Sequence, residues 1–333
     1  MKRLGNLYQE VVRQENLIDA FQDAIKNKKS KRAVYYFQIN FGREISKLKD
    51  ELEEGSYKPM PYKRFFVFEP KKREIFAPAF RDIVVQHAVY RVVYPLFEKT
   101  FISESHGCRK NYGIHSAREY IKKVVKESSQ HDYYLQLDIK KYFYSFDRAV
   151  LRQIIEKKIK DEKLVNLMMM FAEFDSDKGV PIGNLLSQLY GLMYLNPLDH
   201  FIKRELKIKN YVRYVDDFVL IGLKLDEARR LKTEVEDYIR KSLMMELSKY
   251  KIMRISNGID FAGYRIWNNR SLVRKYSIYK FRRACKKERI ESLISMIGHA
   301  WNTDTVKYYK KLLLEFNLFS EMPFKLRLKM ADI

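Results

Sequence analysis

Two adjacent aspartates interrupt an otherwise apolar and aromatic stretch, YVRYVDDFVLIG, at residues 211–222. Apolar residues flank Asp216 and Asp217 at strand length on both sides, which predicts a β-hairpin with the two acids at its turn. Asp is a common turn residue, so the pair alone is also typical of an ordinary turn. An ionised carboxylate in a low-dielectric pocket takes up a proton unless a cation is near. A third carboxylate on a second strand would therefore favour a cation site.

That third carboxylate comes earlier in the chain. Residues 133–138, YYLQLD, have strand character and end in Asp138, and the chain then turns into a helix capped by Asp147. The third acid favours a metal site over a plain turn. Magnesium suits a site built from oxygen ligands and bridging phosphates, and the backbone carbonyl of Ile139 could complete the ligand set.

A glycine-rich helix start lies between the two acidic strands. The segment GVPIGNLLSQ, residues 179–188, carries glycine and proline where a helix begins, and these residues let the backbone approach a ligand closely. The order of the three segments along the chain, first the Asp138 strand, then this helix start and then the Asp216–Asp217 hairpin, is typical of an enzyme that catalyses nucleotidyl transfer. Two divalent ions held by Asp138 and Asp216 would activate a primer 3′ hydroxyl, bind the incoming triphosphate and stabilise the departing pyrophosphate.

The charge of the chain indicates a polyanionic partner. Its 333 residues include 65 basic and 42 acidic side chains, a formal net charge of +23, and its aromatic residues favour nucleic acid over a membrane surface.

No apolar run reaches the roughly 18 residues of a membrane span, and the N-terminus lacks the apolar core of a signal peptide, so we expect a cytoplasmic protein. Cys108 and Cys285 are isolated in the sequence, which predicts neither a zinc site nor a disulfide.

Three cations follow a strand predicted over residues 62–69. Lys71, Lys72 and Arg73 stand at the tip of the hairpin that this strand begins. Such a tip is often a solvated turn, but a triphosphate needs cations on the side opposite its metals, so we expect it to bind phosphate. Helical patterns are predicted over residues 83–97, from 226 to about 247 and over much of 270–289.

Five motifs in order resemble those of reverse transcriptases, and nearly the whole chain takes part. LDIKKYFYSFD at 137–147 resembles the first palm motif, and GVPIGNLLSQ resembles the motif that opens the palm helix. YVDD at 214–217 resembles the metal-binding hairpin, GIDFAGYRIW at 258–267 the primer grip, and KKREIFAP at 71–78 the fingers motif that meets the triphosphate.

The resemblance implies an α+β right-hand polymerase fold, with fingers, a palm with an antiparallel sheet, and a helical thumb. It implies fingers with N-terminal helices at 1–130, a palm with the catalytic site and primer grip at 131–270, and a basic helical thumb at 271–333. Residues 271–333 suffice for a thumb and are expected to leave no room for RNase H, maturase or endonuclease modules.

The resemblance also implies a role for each matching residue. Asp138, Asp216 and Asp217 match the metal-binding acids, which hold two Mg²⁺ ions. Phe143 falls on the steric-gate position, where a ring blocks a ribose 2′ hydroxyl and so selects dNTPs. Arg73 matches the fingers arginine that contacts phosphates.

Further matches extend the nucleotide and primer sites. Lys251, or alternatively Lys249, falls near the lysine proposed to protonate pyrophosphate. The remaining dNTP-binding positions are Lys72, Ile182, Gly183 and Gln188. The primer-grip positions are Phe261, Ala262, Gly263 and Tyr264.

The segment PIGNLLSQ at 181–188 indicates which group of reverse transcriptases the chain resembles most. It is similar to the form found in enzymes of diversity-generating retroelements, whereas retroviral relatives carry Gln at the position of Ile182 and intron or retron relatives end the motif in Ser-Pro. An Ile cannot make the polar contact that Gln offers near the nascent base pair, in keeping with that family's error-prone copying of template adenines. The resemblance implies a template RNA, primer and cDNA, dNTPs and a small basic, oligomeric accessory protein as partners.

Other functions are weighed against this interpretation. The chain is alternatively another bacterial reverse transcriptase, of retron, group II intron-like, CRISPR-associated or phage-defence type. Phe143 argues against an RNA-directed RNA polymerase, because a steric gate excludes rNTPs. A non-catalytic RNA-binding scaffold is a further alternative, which the three intact acids disfavour.

Overall fold

The computed structural model describes residues 3–26, 32–68 and 72–331. The chain divides into two compact units and enters each of them three times. The first unit comprises Met1–Cys108, Asp138–Lys207 and Thr233–Lys249, and the second comprises Arg109–Leu137, Ile208–Lys232 and Tyr250–Ile333. Fingers, palm and thumb are functional subdomains, and the two units are defined by compactness alone. The predicted subdomain boundaries therefore stay a prediction.

Helices dominate the described residues. The helices, in chain order, are α1 (Leu7–Val12), α2 (Gln14–Ile25), α3 (Arg32–Ile39), α4 (Phe41–Glu54), α5 (Phe80–Glu98), α6 (Ile114–Glu127), α7 (Arg148–Glu156), α8 (Glu162–Ala172), α9 (Leu185–His200), α10 (Leu225–Leu243), α11 (Lys275–Lys286), α12 (Ile290–Ala300), α13 (Thr305–Glu315) and α14 (Phe324–Ala331). The strands are β1 (Lys63–Val67), β2 (Arg73–Ala77), β3 (Tyr133–Ile139), β4 (Tyr211–Tyr214), β5 (Asp217–Leu223), β6 (Leu247–Arg254), β7 (Ile259–Phe261), β8 (Tyr264–Ile266) and β9 (Ser271–Val273). None of the described helices combines the length and the apolar composition that a membrane span requires.

The core of the first unit is helical. Helix α5 packs against α2 and α9. Apolar residues cover most faces of α9, including the buried Leu189, Leu192 and Leu195, which is typical of a helix enclosed by other elements. The helix predicted over residues 83–97 is confirmed as α5, and it begins three residues earlier, at Phe80.

The predicted hairpins are present. Strands β1 and β2 pair antiparallel, with Val67 opposite Arg73, and β4 and β5 pair with Tyr214 opposite Asp217. The sheet that contains β4 and β5 has the order β4-β5-β3-β6, and β7, β8 and β9 form a separate sheet in sequence order.

The core of the second unit joins these strands to the C-terminal helices. Ile121 of α6, Val219 of β5 and Phe261 of β7 belong to one buried cluster with residues of α11, α12 and α13. The basic segment predicted to be helical becomes α11, whose Phe281 points inward and stacks on Tyr309. Such a face exposes the basic side chains while the apolar ones stabilise the unit.

Helix α10 corrects one sequence expectation. The helix predicted to run to about residue 247 ends at Leu243, because Met244 adopts a left-handed φ of 52°. A helix cannot continue through that conformation. Leu247, near which the helix was predicted to end, instead begins strand β6.

Candidate active site

The two adjacent acids lie at the tip of the β4–β5 hairpin in the second unit. Because Tyr214 pairs with Asp217, Val215 and Asp216 form a two-residue hairpin turn. Val215 has a φ of 59°, a region that β-branched residues avoid and that stores strain. Asp216 and Asp217 are both half-buried. The predicted hairpin with acids at its turn is therefore confirmed, and its backbone is strained at Val215.

A buried arginine supports this turn. Arg213 on β4 is fully buried, and its guanidinium donates a hydrogen bond of 2.9 Å to the carbonyl oxygen of Val215. Burying a guanidinium is costly unless its donors are satisfied. The bond therefore places a strong donor on the backbone of the strained turn.

A buried glutamine contacts the second acid. The side-chain nitrogen of Gln136 on β3 donates to Asp217 Oδ1 at 2.9 Å and to the carbonyl oxygen of Asp260 at 3.0 Å. Gln136 thus connects the acidic hairpin to β7 within the second unit.

Asp138 belongs to the first unit, where Ser248 orients it. The hydroxyl of Ser248 donates to the carboxylate of Asp138 and lies 3.2 Å from its carbonyl oxygen. The amide of Lys140 donates to the carbonyl oxygen of Glu246 at 2.9 Å, which joins the chain after Asp138 to the segment before Ser248. Asp138 is half-buried and Ile139 is buried; the role of the Ile139 carbonyl as a ligand stays a prediction.

The donor chemistry of the three acids fits a hard cation. Asp138, Asp216 and Asp217 offer carboxylate oxygens, which Mg²⁺ prefers. The neutral hydroxyl of Ser248 and the neutral amide of Gln136 orient two of these carboxylates without adding positive charge. Over residues 3–26, 32–68 and 72–331, no three His, Cys, Asp or Glu side chains are grouped as a ready metal site. The fit to a metal therefore rests on the type of donor.

The glycine-rich segment of the first unit, residues 179–184, is called here the glycine loop. Gly179 donates from its amide to the carbonyl oxygen of Phe146, and Val180 donates to that of Phe143, both at 2.8 Å. A Cβ at Gly179 would lie 2.8 Å from the Phe143 carbonyl oxygen, closer than real Cβ contacts. The loop therefore holds the Phe143 segment by backbone contact that a side chain would prevent.

The other end of the glycine loop contacts β2. The amide of Phe76 donates to the carbonyl oxygen of Ile182 at 2.7 Å. A Cβ at Gly183 would lie 2.8 Å from the Phe76 carbonyl oxygen, and Gly183 has a φ of 123°. Both space and conformation therefore require glycine there. The Ile182 backbone is fixed while its side chain remains half-exposed.

A buried glutamine supports the start of α9. The side-chain oxygen of Gln86 accepts hydrogen bonds from the amides of Leu185, at 3.0 Å, and Leu186. These amides would otherwise lack partners at the helix N-terminus. Ser187 adds a bond of 2.6 Å to the Pro181 carbonyl oxygen. Gln188 is exposed in the first turn.

The position of the Phe143 ring depends on Gly191. Phe143 lies on a 3-10 turn, Tyr142–Tyr144, that follows Lys141 with a φ of 46°. A Cβ on Gly191 would lie 3.2 Å from Phe143 Cε1, so the ring occupies the space that a side chain of α9 would take. The hydroxyl of Tyr142 donates to the Gly191 carbonyl oxygen at 2.6 Å. The ring itself is half-buried, and its role as a steric gate stays a prediction.

The predicted phosphate-binding cations lie on an exposed hairpin. Arg73 begins β2 and is exposed. The Lys72 ammonium is 4.5 Å from the centre of the Phe66 ring, a cation–π distance. Lys71, the third predicted cation, lies outside the described residues. The phosphate-binding roles of Arg73 and Lys72 stay a prediction.

The predicted primer grip is the β7–β8 turn of the second unit. Phe261 pairs with Tyr264, and Ala262 and Gly263 form the turn with φ angles of 46° and 94°. The hydroxyl of Tyr264 donates to the His299 carbonyl oxygen at 2.8 Å, and burial raises the pKa of Tyr264 to about 12. Tyr264 therefore stays protonated and anchors the turn.

Lys251 and Lys249 are both exposed residues of β6. Neither residue has a described contact that selects it as the proton donor to pyrophosphate. The assignment stays a prediction.

Several supporting residues are not evident from the motifs in the sequence. Gln136, Arg213 and Gln86 are polar residues in otherwise buried segments, and Gly191 is a glycine inside an apolar helix. An isolated polar residue in a buried strand is the signal that could have found the first two, since it needs a partner. Ser248 carried no such signal.

Comparisons with known proteins identify the family of this chain. The family model described as reverse transcriptase (RNA-dependent DNA polymerase) matches residues 70–266. The chain is 25% identical to protein YkfC of Escherichia coli over 282 residues, which cover 70% of this chain and 74% of that protein. It is 26% identical to the group II intron-encoded protein LtrA of Lactococcus lactis over 344 residues, which cover 80% of this chain and 57% of LtrA.

A solved structure shows the fold. The telomerase of Candida albicans, in complex with a fragment of telomeric RNA, matches with a TM-score of 0.50 and 12% identity over 83% of this chain and 57% of that one. The predicted α+β right-hand polymerase fold is thereby confirmed. Because the family model spans more than half of the chain, this protein belongs to the reverse transcriptase family of RNA-dependent DNA polymerases.

Proposed function

We propose that this reverse transcriptase copies a structured template RNA into cDNA with frequent errors at template adenines, as the enzyme of a diversity-generating retroelement. The assignment to a diversity-generating retroelement depends on the apolar residue Ile182 at this position of the glycine loop. Its carbonyl oxygen is bonded to the amide of Phe76 at 2.7 Å, so the backbone holds a half-exposed apolar side chain in a fixed place. An apolar side chain offers no hydrogen bond to a nascent base pair, and one check on pairing is lost.

The roles of the acids and cations follow from the chemistry of phosphoryl transfer. Asp138, Asp216 and Asp217 would hold Mg²⁺, which lowers the pKa of a hydroxyl nucleophile and neutralises phosphate charge. Arg73 and Lys72 would bind the triphosphate by charge-assisted hydrogen bonds. Lys251, or Lys249, would give a proton to the leaving pyrophosphate.

Selection of the sugar is assigned to Phe143. Gly191 leaves the space that its ring occupies, and a ring so placed would exclude a 2′ hydroxyl by contact. The glycine loop lies against the same segment. Ile182 and Gly183 of this loop and Gln188 of α9 are proposed to line the nucleotide site. Phe261, Ala262, Gly263 and Tyr264 would hold the primer strand.

The proposed partners are polyanions and one protein. The net charge of +23 suits a template RNA with its primer and cDNA. The small basic, oligomeric accessory protein is proposed on the motif resemblance at residues 181–188.

Sequencing of cDNA tests this function. The full chain is given an RNA template with an annealed DNA primer and dNTPs, and the errors opposite each template base are counted. We expect errors concentrated at adenines and a reduction of about 10-fold in Ile182→Gln, in line with one regained polar contact. Ile182→Leu, which stays apolar, is the matched control. Equal error rates at all four template bases would remove the retroelement assignment.

A second candidate is a group II intron-like reverse transcriptase. Its support is the similarity to the intron-encoded protein LtrA over 80% of this chain. Because this chain spans 57% of LtrA, the further activities of that protein are not carried over. Here we expect errors spread evenly over the template bases and no change in Ile182→Gln, so the same experiment separates the two functions.

A further inference from the structure

Gln136 is a polar residue at the centre of a buried strand. Its neighbours on β3, Leu135 and Leu137, are fully buried, and Gln136 itself is 9% exposed. A buried amide costs free energy unless hydrogen bonds replace its contacts with water. An apolar residue at this position would avoid the free-energy cost of burying an amide. The contacts of the Gln136 amide therefore need an explanation.

The amide group faces two hydrogen-bond acceptors. Its nitrogen lies 2.9 Å from Asp217 Oδ1 and 3.0 Å from the carbonyl oxygen of Asp260. Only an N–H group can satisfy both atoms, which settles the orientation of the amide. The amide oxygen is buried without a hydrogen-bond partner among the described residues. The side chain thus satisfies its two donors at the expense of its acceptor.

The two acceptors belong to different hairpins of the second unit. Asp217 begins β5 directly after the strained turn at Val215. Asp260 lies on β7, an edge strand of its sheet, and is the second residue before the turn of Ala262 and Gly263. One side chain therefore fixes both an acidic side chain and the backbone that leads to the predicted primer grip.

We propose that Gln136 is a positioning residue, which holds the Asp217 carboxylate ready for a divalent cation and keeps it in register with the β7–β8 turn. The proposal rests on the proposed function in one respect, that Asp217 is a metal-binding acid. Gln136 acts through Asp217 and through the backbone of β7, and it contacts neither substrate nor metal.

The test compares Gln136→Met with the wild-type full chain. Met keeps the length of the side chain and removes both donors. The matched control is Gln130→Met, since the Gln130 amide nitrogen has no hydrogen-bond partner among the described residues. Binding of Mn²⁺ to the protein alone is followed by the loss of the free-ion electron paramagnetic resonance signal. Primer extension is measured in parallel as a function of Mg²⁺ and of primer–template concentration.

We expect Gln136→Met to weaken Mn²⁺ binding by about 10-fold or more, as for other residues that orient metal ligands. The Mg²⁺ requirement and the KM for primer–template should rise, while Gln130→Met behaves as wild type. Should Gln136→Met not fold, Gln136→Asn, which keeps the amide but withdraws its nitrogen by one methylene, is expected to give the same shift. A merely structural role would lower thermal stability and leave the Mn²⁺ affinity of the folded protein unchanged.

The outcomes separate this proposal from the proposed function. If the wild type extends primers and the folded variants match it in Mn²⁺ affinity, Gln136 has no positioning role and the polymerase assignment stands. If the wild type binds Mn²⁺ more tightly than Gln136→Met but copies no RNA, the polymerase function fails and the positioning role survives. A wild type that binds no Mn²⁺ overturns the positioning role as well.

Discussion

The glycine loop and the acidic hairpin reach a defined geometry by opposite means. In the first unit, residues 179–184 are placed by the absence of side chains, since a Cβ at Gly179 or Gly183 would meet backbone atoms at 2.8 Å. In the second unit, the β4–β5 hairpin is placed by hydrogen bonds from the buried side chains of Arg213 and Gln136. The first region should therefore be intolerant of added atoms, and the second should be intolerant of lost donors.

Gly183→Ala should have the largest effect on stability among the substitutions in the glycine loop and the hairpin. Its φ of 123° and the contact of the new Cβ with the Phe76 carbonyl oxygen each cost about 1–3 kcal/mol. We expect a loss of stability of that combined order in urea unfolding, with loss of primer extension. Gly42→Ala is the control, because nothing lies within 4 Å of a Cβ there, and it should stabilise α4 by about 0.5–1 kcal/mol. A stable, active Gly183→Ala variant would contradict the steric account.

Arg213→Met tests the other side of the comparison. It removes the donor to the Val215 carbonyl oxygen while keeping most of the buried volume. Hydrogen bonds of charged groups contribute about 1.5–3 kcal/mol, so we expect a loss of that order in unfolding free energy. The exposed Arg283→Met should change stability by less than about 0.5 kcal/mol. Equal effects of the two substitutions would show that the turn does not depend on Arg213.

Phe143→Val tests whether the Phe143 ring selects dNTPs by steric exclusion. Removal of the ring should raise the kcat/KM ratio of rNTP to dNTP incorporation by about 10-fold or more, as for other groups lost from a binding pocket. Tyr144→Val, on the same turn, should leave the ratio unchanged.

Gly191→Ala should move the same ratio by a smaller factor. The new Cβ would lie 3.2 Å from Phe143 Cε1, so the ring must shift by a few tenths of an ångström. Steady-state incorporation of single nucleotides measures this ratio. An unchanged ratio in Phe143→Val and Gly191→Ala together would remove the steric-gate role.

Val215 provides the smallest effect. At a φ of 59°, glycine avoids strain that alanine suffers, so Val215→Gly should be more stable than Val215→Ala by about 1 kcal/mol. This order is the reverse of the usual one in helices and strands. Comparison of the two variants by urea unfolding isolates the backbone term. If Val215→Ala is as stable as Val215→Gly or more stable, the turn that Arg213 supports is not strained.

The sequence predicted those parts of the site that depend on local pattern. Apolar residues at strand length on both sides of Asp216 and Asp217 were enough to predict the hairpin, and the run before Asp138 was enough to predict β3, because short apolar runs are typical of buried strands. The end of α10 was missed, since the left-handed residue Met244 has no sequence signal as glycine would.

The supporting contacts could not be predicted in the same way. Gln136 bonds to residues 81 and 124 positions away, and no local pattern specifies such partners. The steric dependence of Phe143 on Gly191 likewise joins two distant segments. The roles of the individual acids and cations stay predictions, because they concern ligands rather than the fold.

Primer extension on an RNA template by the wild type and by Asp216→Asn tests whether the acidic hairpin is a catalytic metal site. Asn keeps the size of the side chain and its place in the turn but removes the negative charge. We expect cDNA from the wild type in Mg²⁺ and a loss of more than about 1,000-fold in Asp216→Asn at unchanged unfolding free energy, since catalytic residues that act together lose most activity when one is removed. Full extension by Asp216→Asn would show that Asp216 is not required for catalysis and that the acidic hairpin is a structural turn.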